Sequence, residues 1–180
     1  MGSRGTVMKV IAGVGFAIVA SFSLAIAAAT AQPVNMGCSR GNPAKGSQTL
    51  RCEGGVTIVA EDGARYTLLD RDGNGRVDSV ELSSKALLIE VPKKPGGNHF
   101  EVVTPQAIAA VRGTKWAVDA AEGQTSVFVV NGRVRVARPG GANRVMLGSG
   151  EGVDIGAPGA LTVKRWPPAR VAELLARLAQ

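Results

Sequence analysis

The stretch DRDGNGRVDSVE, Asp70 to Glu81, carries oxygen donors at a spacing that could hold a metal ion. Counted from Asp70, side-chain oxygens fall at position one (Asp70), three (Asp72), five (Asn74), nine (Asp78) and twelve (Glu81). Arg76 would lend its backbone carbonyl at seven, Gly75 permits the bend at six, and Val77 is apolar at eight. Calcium takes six to eight hard oxygens at ~2.3–2.6 Å, and this string is a full match to an EF-hand loop. Its flanks are not. An EF-hand has a helix on each side, whereas ARYTLL before the loop reads as a strand and LSSKALLIEV after it as half loop, half strand. Arg71 and Arg76 also dilute the negative field. Two readings stand together: a calcium site of extracellular strength, ~10⁻⁴–10⁻³ M, that stiffens the loop, or a polar connection in which Gly73-Asn74-Gly75 turns tightly and Glu81 faces solvent.

Catalytic chemistry is poorly supplied. His99 is the only imidazole, and it lies in a Gly-Gly-Asn-His loop. GSGEG, Gly148 to Gly152, is neither a nucleophile elbow nor a phosphate loop, and its glycines fit a turn between strands. Glu101, Asp119, Glu122 and Glu151 could furnish a carboxylate pair, but their spacing selects no two of them. The chain reads as no enzyme.

The two cysteines, Cys38 and Cys52, admit two uses. A pair of metal thiolates would need two further ligands, which one histidine cannot supply. A disulfide needs only an oxidising compartment, and closing a loop of about 15 residues is worth ~3 kcal/mol in the chain-entropy model.

The elements that must position these groups are strands. From Gly54 the hydrophobic period is two. Val56–Ala60 and Ala64–Leu69 flank Asp62-Gly63 and read as a hairpin. Ala86–Val91, Phe100–Val103, Ile108–Val111 and Lys115–Val118 follow. TSVFVVNGRVRVAR, Thr125–Arg138, centres on Asn131-Gly132, the pair that suits a type I′ turn, and predicts a second hairpin. Val145–Leu147, Val153–Ile155 and Leu161–Val163 are shorter runs between glycine turns. The fold class is all-β, a stack of short strands forming a sandwich or a short β-solenoid, with one C-terminal amphipathic helix over 167–180. In that helix Val171, Leu174, Leu175 and Leu178 share a face, which either caps an open end of the stack or docks on a partner or membrane surface.

FEVVTPQAIAAVRGTKWAVD, Phe100 to Asp119, followed by TSVFVVNGRVRV and VMLGSGEGV, resembles the FecR domain. The likeness covers roughly residues 54–155, and its motif falls on Thr104, Pro105, Ala107, Val111, Arg112, Gly113 and Thr114. Family members of the founding type are inner-membrane regulators. They relay a signal from an outer-membrane TonB-dependent transporter to a sigma factor through a cytoplasmic N-terminal domain. Only nine residues precede the apolar segment here, so the resemblance implies a stand-alone exported domain without that regulator part. Of Arg112-Gly113-Thr114 the residues themselves suggest a structural turn, in which the five donors of Arg112 satisfy carbonyls, or else a ligand-binding arginine.

Export is also read from the N-terminus. Arg4 and Lys9 precede an apolar run from Val10 to Ala29 that ends Ala29-Thr30-Ala31, the layout of a signal peptide over residues 1–31 cleaved after Ala31. The same run approaches the ~20 residues of an uncleaved anchor. Residues 32–53 then form a segment carrying the disulfide, and 54–163 the β-domain. Either way the body works in the periplasm or is secreted, in a Gram-negative cell by the resemblance. Net charge is +7, and subtracting Arg4 and Lys9 leaves +5. With aromatics at 4% the chain lacks the basic, aromatic-interleaved patch of a nucleic-acid binder. The expected partner is an envelope protein or an anionic cell-surface polymer, with membrane contact only through an uncleaved leader. The function expected is a non-catalytic binding or sensing module, with calcium as the cofactor of the loop. A structural part docking through its C-terminal helix, or a cell-wall hydrolase, are the competing readings.

Overall fold

Ser79–Glu90 forms a single strand of twelve residues, β5, and the other strands assemble around it. Its sequence SVELSSKALLIE carries apolar residues at Val80 and Leu82, then at Leu87 and Ile89, all sealed in one core. The inward parity changes from even to odd between these pairs. A strand whose side chains alternate strictly can do this only by inserting or bending a residue. The break falls at Lys85, a non-glycine residue at φ +65°.

The computed structural model describes residues 2, 36–41, 45–94, 99–141, 143–156 and 158–180. Apart from Gly2, the signal segment expected over 1–31 lies outside the described residues. Cys38–Arg40 (β1), Ser47–Cys52 (β2) and Thr57–Glu61 (β3) precede Arg65–Leu69 (β4) and β5. Phe100–Val103 (β6), Ile108–Val111 (β7), Lys115–Ala121 (β8) and Gln124–Asn131 (β9) follow. Arg133–Ala137 (β10), Arg144–Gly148 (β11), Glu151–Ile155 (β12) and Lys164–Arg165 (β13) lead to one helix, Pro168–Arg177 (α1).

These thirteen strands join into one sheet that curls through β5. Residues before Lys85 pair with β4 and, in parallel, with β6, and the sheet continues through β7 and β10 to β11. Residues from Lys85 onward pair with β8 and, from Leu87, with β3; the sheet then runs through β9 to β12 and β13, and through β2 to β1. The two halves enclose a core that includes Ile58, Val80, Phe100, Trp116, Val134 and Ile155. Among the described residues only β5–β6 is parallel, so the all-β expectation is met by a curled antiparallel sheet and not by the parallel coils of a solenoid.

Several expected pairings are corrected. β3 and β4 are not hairpin partners across Asp62-Gly63; each pairs with a different half of β5. β9 and β10 likewise do not pair across Asn131-Gly132. β9 lies between β8 and β12, β10 between β7 and β11, and Gly132 (φ +100°) carries the chain from one half of the sheet to the other. A glycine that permits positive φ sets a sharp change of direction, not the identity of the neighbouring strand. The half-loop reading of LSSKALLIEV gives way to continuous β5. Leu161–Val163 is not a strand, and the short pairing falls on Lys164–Arg165. The segment 32–53 contributes β1 and β2, so the β-body begins before Gly54. Cys38 and Cys52 face each other in register on those strands and are joined by a disulfide.

The helix does not cap an open end. Val171, Leu174, Leu175 and Leu178 pack on the outer face of the β3–β5–β8–β9 half, against Val59, Leu88, Ala117 and Phe128. Fully burying an aliphatic side chain contributes ~1.5–3 kcal/mol, so this face anchors the helix strongly. Trp166 stacks on Phe128 at 5.1 Å, and the Arg170 guanidinium lies 3.5 Å over the Trp166 ring. Gly152 makes room for this stack, since a Cβ there would run into the Trp166 indole. Arg170 also holds Asp154 through both carboxylate oxygens, at 2.9 and 2.5 Å.

At the other end Arg177 closes the bend in β5. It donates to Asp119 at 2.7 and 3.1 Å and to Glu61 Oε2 at 2.5 Å. The same Glu61 oxygen accepts the Ala86 N–H at 3.0 Å, next to the break at Lys85. Burial opposes the charge on Glu61, but Arg177 and the Ala86 N–H outweigh it and hold its pKa below the usual carboxylate value. Asp154 is held low by Arg170, burial opposing and Ser126 adding to the effect.

Folded pKa values lowered in this way stabilise the protein above the unfolded carboxylate values, and that contribution is lost as pH falls through the folded ones. Acid titration should therefore release the helix, read as a change in Trp166 fluorescence, below the ordinary Glu and Asp range. Arg177→Leu should cost about 1–2 kcal/mol in a urea melt, after allowing for solvent around a group that is 36% exposed. It should also move the acid release to higher pH. An acid profile identical to the parent's would show that Arg177 does not hold the helix.

Candidate functional site

The acidic loop closes on itself. Asp70 accepts backbone N–H groups of Gly73 (2.8 Å), Asn74 (3.1 Å) and Gly75 (2.7 Å). Asp78 accepts those of Arg71 and Asp72, at 3.0–3.2 Å. The Asp70 carboxylate loses some hydration, but the Gly75, Gly73 and Asn74 N–H groups favour its ionised form and lower its pKa. Of the six expected ligands, Asp70, Asp72 and Asp78 bring carboxylate oxygens within 4.8 Å of one another. Asn74 turns its amide onto Asp72 at 2.8 Å and accepts the Arg76 N–H with its carbonyl. Glu81 stands exposed on β5, with Arg71 at 3.9 Å. The loop is flanked by strands β4 and β5, not helices.

The motif residues build two turns. Thr104 Oγ accepts the Ala107 N–H at 2.9 Å and bonds Thr125 Oγ at 2.8 Å, closing the Thr104-Pro105-Gln106-Ala107 turn between β6 and β7. Arg112-Gly113-Thr114 joins β7 to β8. Gly113 sits at φ +68° against Lys93, and buried Thr114 donates from Oγ to the Arg133 carbonyl at 3.0 Å. The expectation that Arg112 would satisfy carbonyls of this turn is corrected: its side chain is exposed and makes no hydrogen bond or ion pair among the described residues.

The candidate carboxylates are dispersed. Glu101 on β6 pairs with Arg71 at 3.3 Å, Asp119 on β8 with Arg177, and Glu151 on β12 accepts the Gly148 N–H at 2.7 Å. Glu122 is exposed in the β8–β9 turn. His99 is exposed beside β6. Among the described residues no helix is long and apolar enough to cross a membrane.

What the sequence reading missed is an asymmetry of cover. The outer face of the β3–β5–β8–β9 half lies under α1, whereas no element of the described chain covers the β6–β7–β10–β11 face. That face shows Arg133 and Arg135 on β10 and Met146 on β11, half exposed, around a cavity of about 250 Å³ shared with Arg112 and His99. The alternation RVRV held the signal, because it puts both arginines on the side away from the core.

The family described as FecR protein matches residues 43–135. Two crystal structures of a candidate anti-sigma factor from Parabacteroides distasonis ATCC 8503 share the fold. The one at 1.65 Å superposes with a TM-score of 0.59 at 21% identity, covering 72% of this chain and 60% of that one. The one at 2.50 Å gives 0.60 at 20% identity, with 77% and 64% covered. This chain thus spans less than two thirds of the length of those proteins. No curated protein matches it.

The matched stretch contains both motif turns. Thr114→Val keeps the shape but leaves the Arg133 carbonyl without its donor, which should cost ~1–2 kcal/mol. An unchanged urea midpoint would show that the hydroxyl does not hold this turn.

Proposed function

The chain belongs to the FecR family, and from that premise we propose that it is a non-catalytic binding or sensing module of the bacterial envelope, working outside the cytoplasm. The observation that carries this reading is the unequal cover of the sheet among the described residues: one outer face is spent on α1, and the other is left bare, with Arg112, Arg133 and Arg135 making no side-chain bond to any described residue. The Cys38–Cys52 disulfide suits an oxidising compartment. The helix is a poor docking handle, because its apolar side is already buried on the sheet. An envelope protein is the partner this reading names.

Cell fractionation tests the location. The protein should be recovered outside the cytoplasm, beginning after Ala31 and with both thiols closed to alkylation. Cytosolic protein with free thiols would overturn the reading. A photo-cross-linker at Met146 should capture an envelope protein, while one at Glu173 on the outer side of α1 should not.

The convergence of Asp70, Asp72 and Asp78 supports a second element, a weak calcium site that stiffens the loop. Calorimetric titration with Ca²⁺ should give a saturable signal near ~10⁻⁴–10⁻³ M that Asp72→Ala removes. Absence of heat and of any stability gain in the parent would leave the loop as a self-closed turn.

A further inference from the structure

We propose that the bare face binds an extended acidic peptide segment, one whose carboxylates alternate with aliphatic side chains, laid along β10. This deepens the binding-module reading and rests on it. Three features of the face select that ligand. First, Arg112, Arg133 and Arg135 converge on one cavity and make no side-chain hydrogen bond or ion pair among the described residues. Elsewhere Arg71, Arg76, Arg170 and Arg177 are engaged by acids of the chain itself. Glu101, in register with Ala110 and so two strands from Arg135, is taken by Arg71. A planar guanidinium without an internal acid is matched by a carboxylate, which it grips through two parallel bonds.

Second, the spacing is that of a strand. Arg133 and Arg135 occupy alternate positions of β10 and share its outer side, with buried Val134 between them. Alternate residues of extended chain lie ~6.8 Å apart. Acidic residues at alternate positions of an extended peptide repeat at the same distance, so both pairs can form without bending either backbone. Third, the cavity floor is apolar. Ala110 and half-exposed Met146 lie among the arginines, and thioether carbon accepts aliphatic side chains readily. Among the described residues no Phe, Tyr or Trp side chain lines the cavity, so it lacks the broad flat apolar surface on which sugar rings of a polymer would stack.

The test is fluorescence anisotropy of the full chain with a labelled peptide of alternating Glu and Val. A peptide of the same composition with its Glu and Val in two blocks, inorganic phosphate, and phosphatidylglycerol vesicles serve as comparisons. The alternating peptide should bind best and weaken as salt rises, as screened charge pairs do. Arg133→Gln and Arg135→Gln, both at exposed positions, should each lower affinity about tenfold with near-ultraviolet circular dichroism unchanged. Lys164→Gln, on the other half of the sheet, should bind like the parent and so exclude a general charge effect. Equal binding of the block peptide or of phosphate, vesicle binding without peptide binding, or full affinity in both arginine variants would overturn the proposal. In each case the chain would still be exported and folded, and the broader module reading would stand; a cytosolic chain would remove both.

Discussion

The fold depends on one strand facing the core in two senses. β5 supplies inward side chains at Val80 and Leu82 on one side of Lys85 and at Leu87 and Ile89 on the other. Without that change of parity, either the first pair or the second would face solvent, and the two halves of the sheet could not enclose a common interior. The break leaves an N–H at Ala86 to be satisfied. Glu61 takes it from neighbouring β3, and Arg177, itself gripped by Asp119, holds Glu61 in place. A local irregularity in one strand is thus fixed by a side chain 116 residues away from its acceptor, which ties the docking of the helix to the curvature of the sheet.

Much of this was legible in the sequence, and the part that was not has a common cause. Period-two runs located β6, β7, β9 and β10 closely, and the spacing of Val171, Leu174, Leu175 and Leu178 gave the helix and its buried side. Pairing was not legible. Asn131-Gly132 and Asp62-Gly63 both have the chemistry of a tight hairpin, yet each joins strands that part company. Backbone freedom at glycine is local information, whereas the choice of neighbour is made by the core. The parity change at Lys85 was hidden because SSK reads as polar loop, although its polar side chains flank a break inside a strand.

The candidate sites divide in the same way. The positions of Asp70, Asp72 and Asp78 in the loop string do bring their carboxylates together, but Glu81 belongs to β5 and follows that strand's geometry instead of the loop's. Thr104 and Thr114 prove to be internal fasteners, since their hydroxyls are consumed by turn backbone and by Thr125. Arg112 is the motif member whose side chain is left free of such work. Arg112, Arg133 and Arg135 meet on one face because β10 lies between β7 and β11, a neighbour choice that no local pattern encodes.

The reach of Arg177 also bears on timing. The residues that shape the middle of β5 are joined before residue 90 has been added, but the cation that locks them arrives with the last turn of the helix. A polypeptide still being made therefore has the residues of the bend without their clasp. The shape is secured only once residue 177 has emerged, a long-range closure of the sort that makes β-rich chains fold slowly.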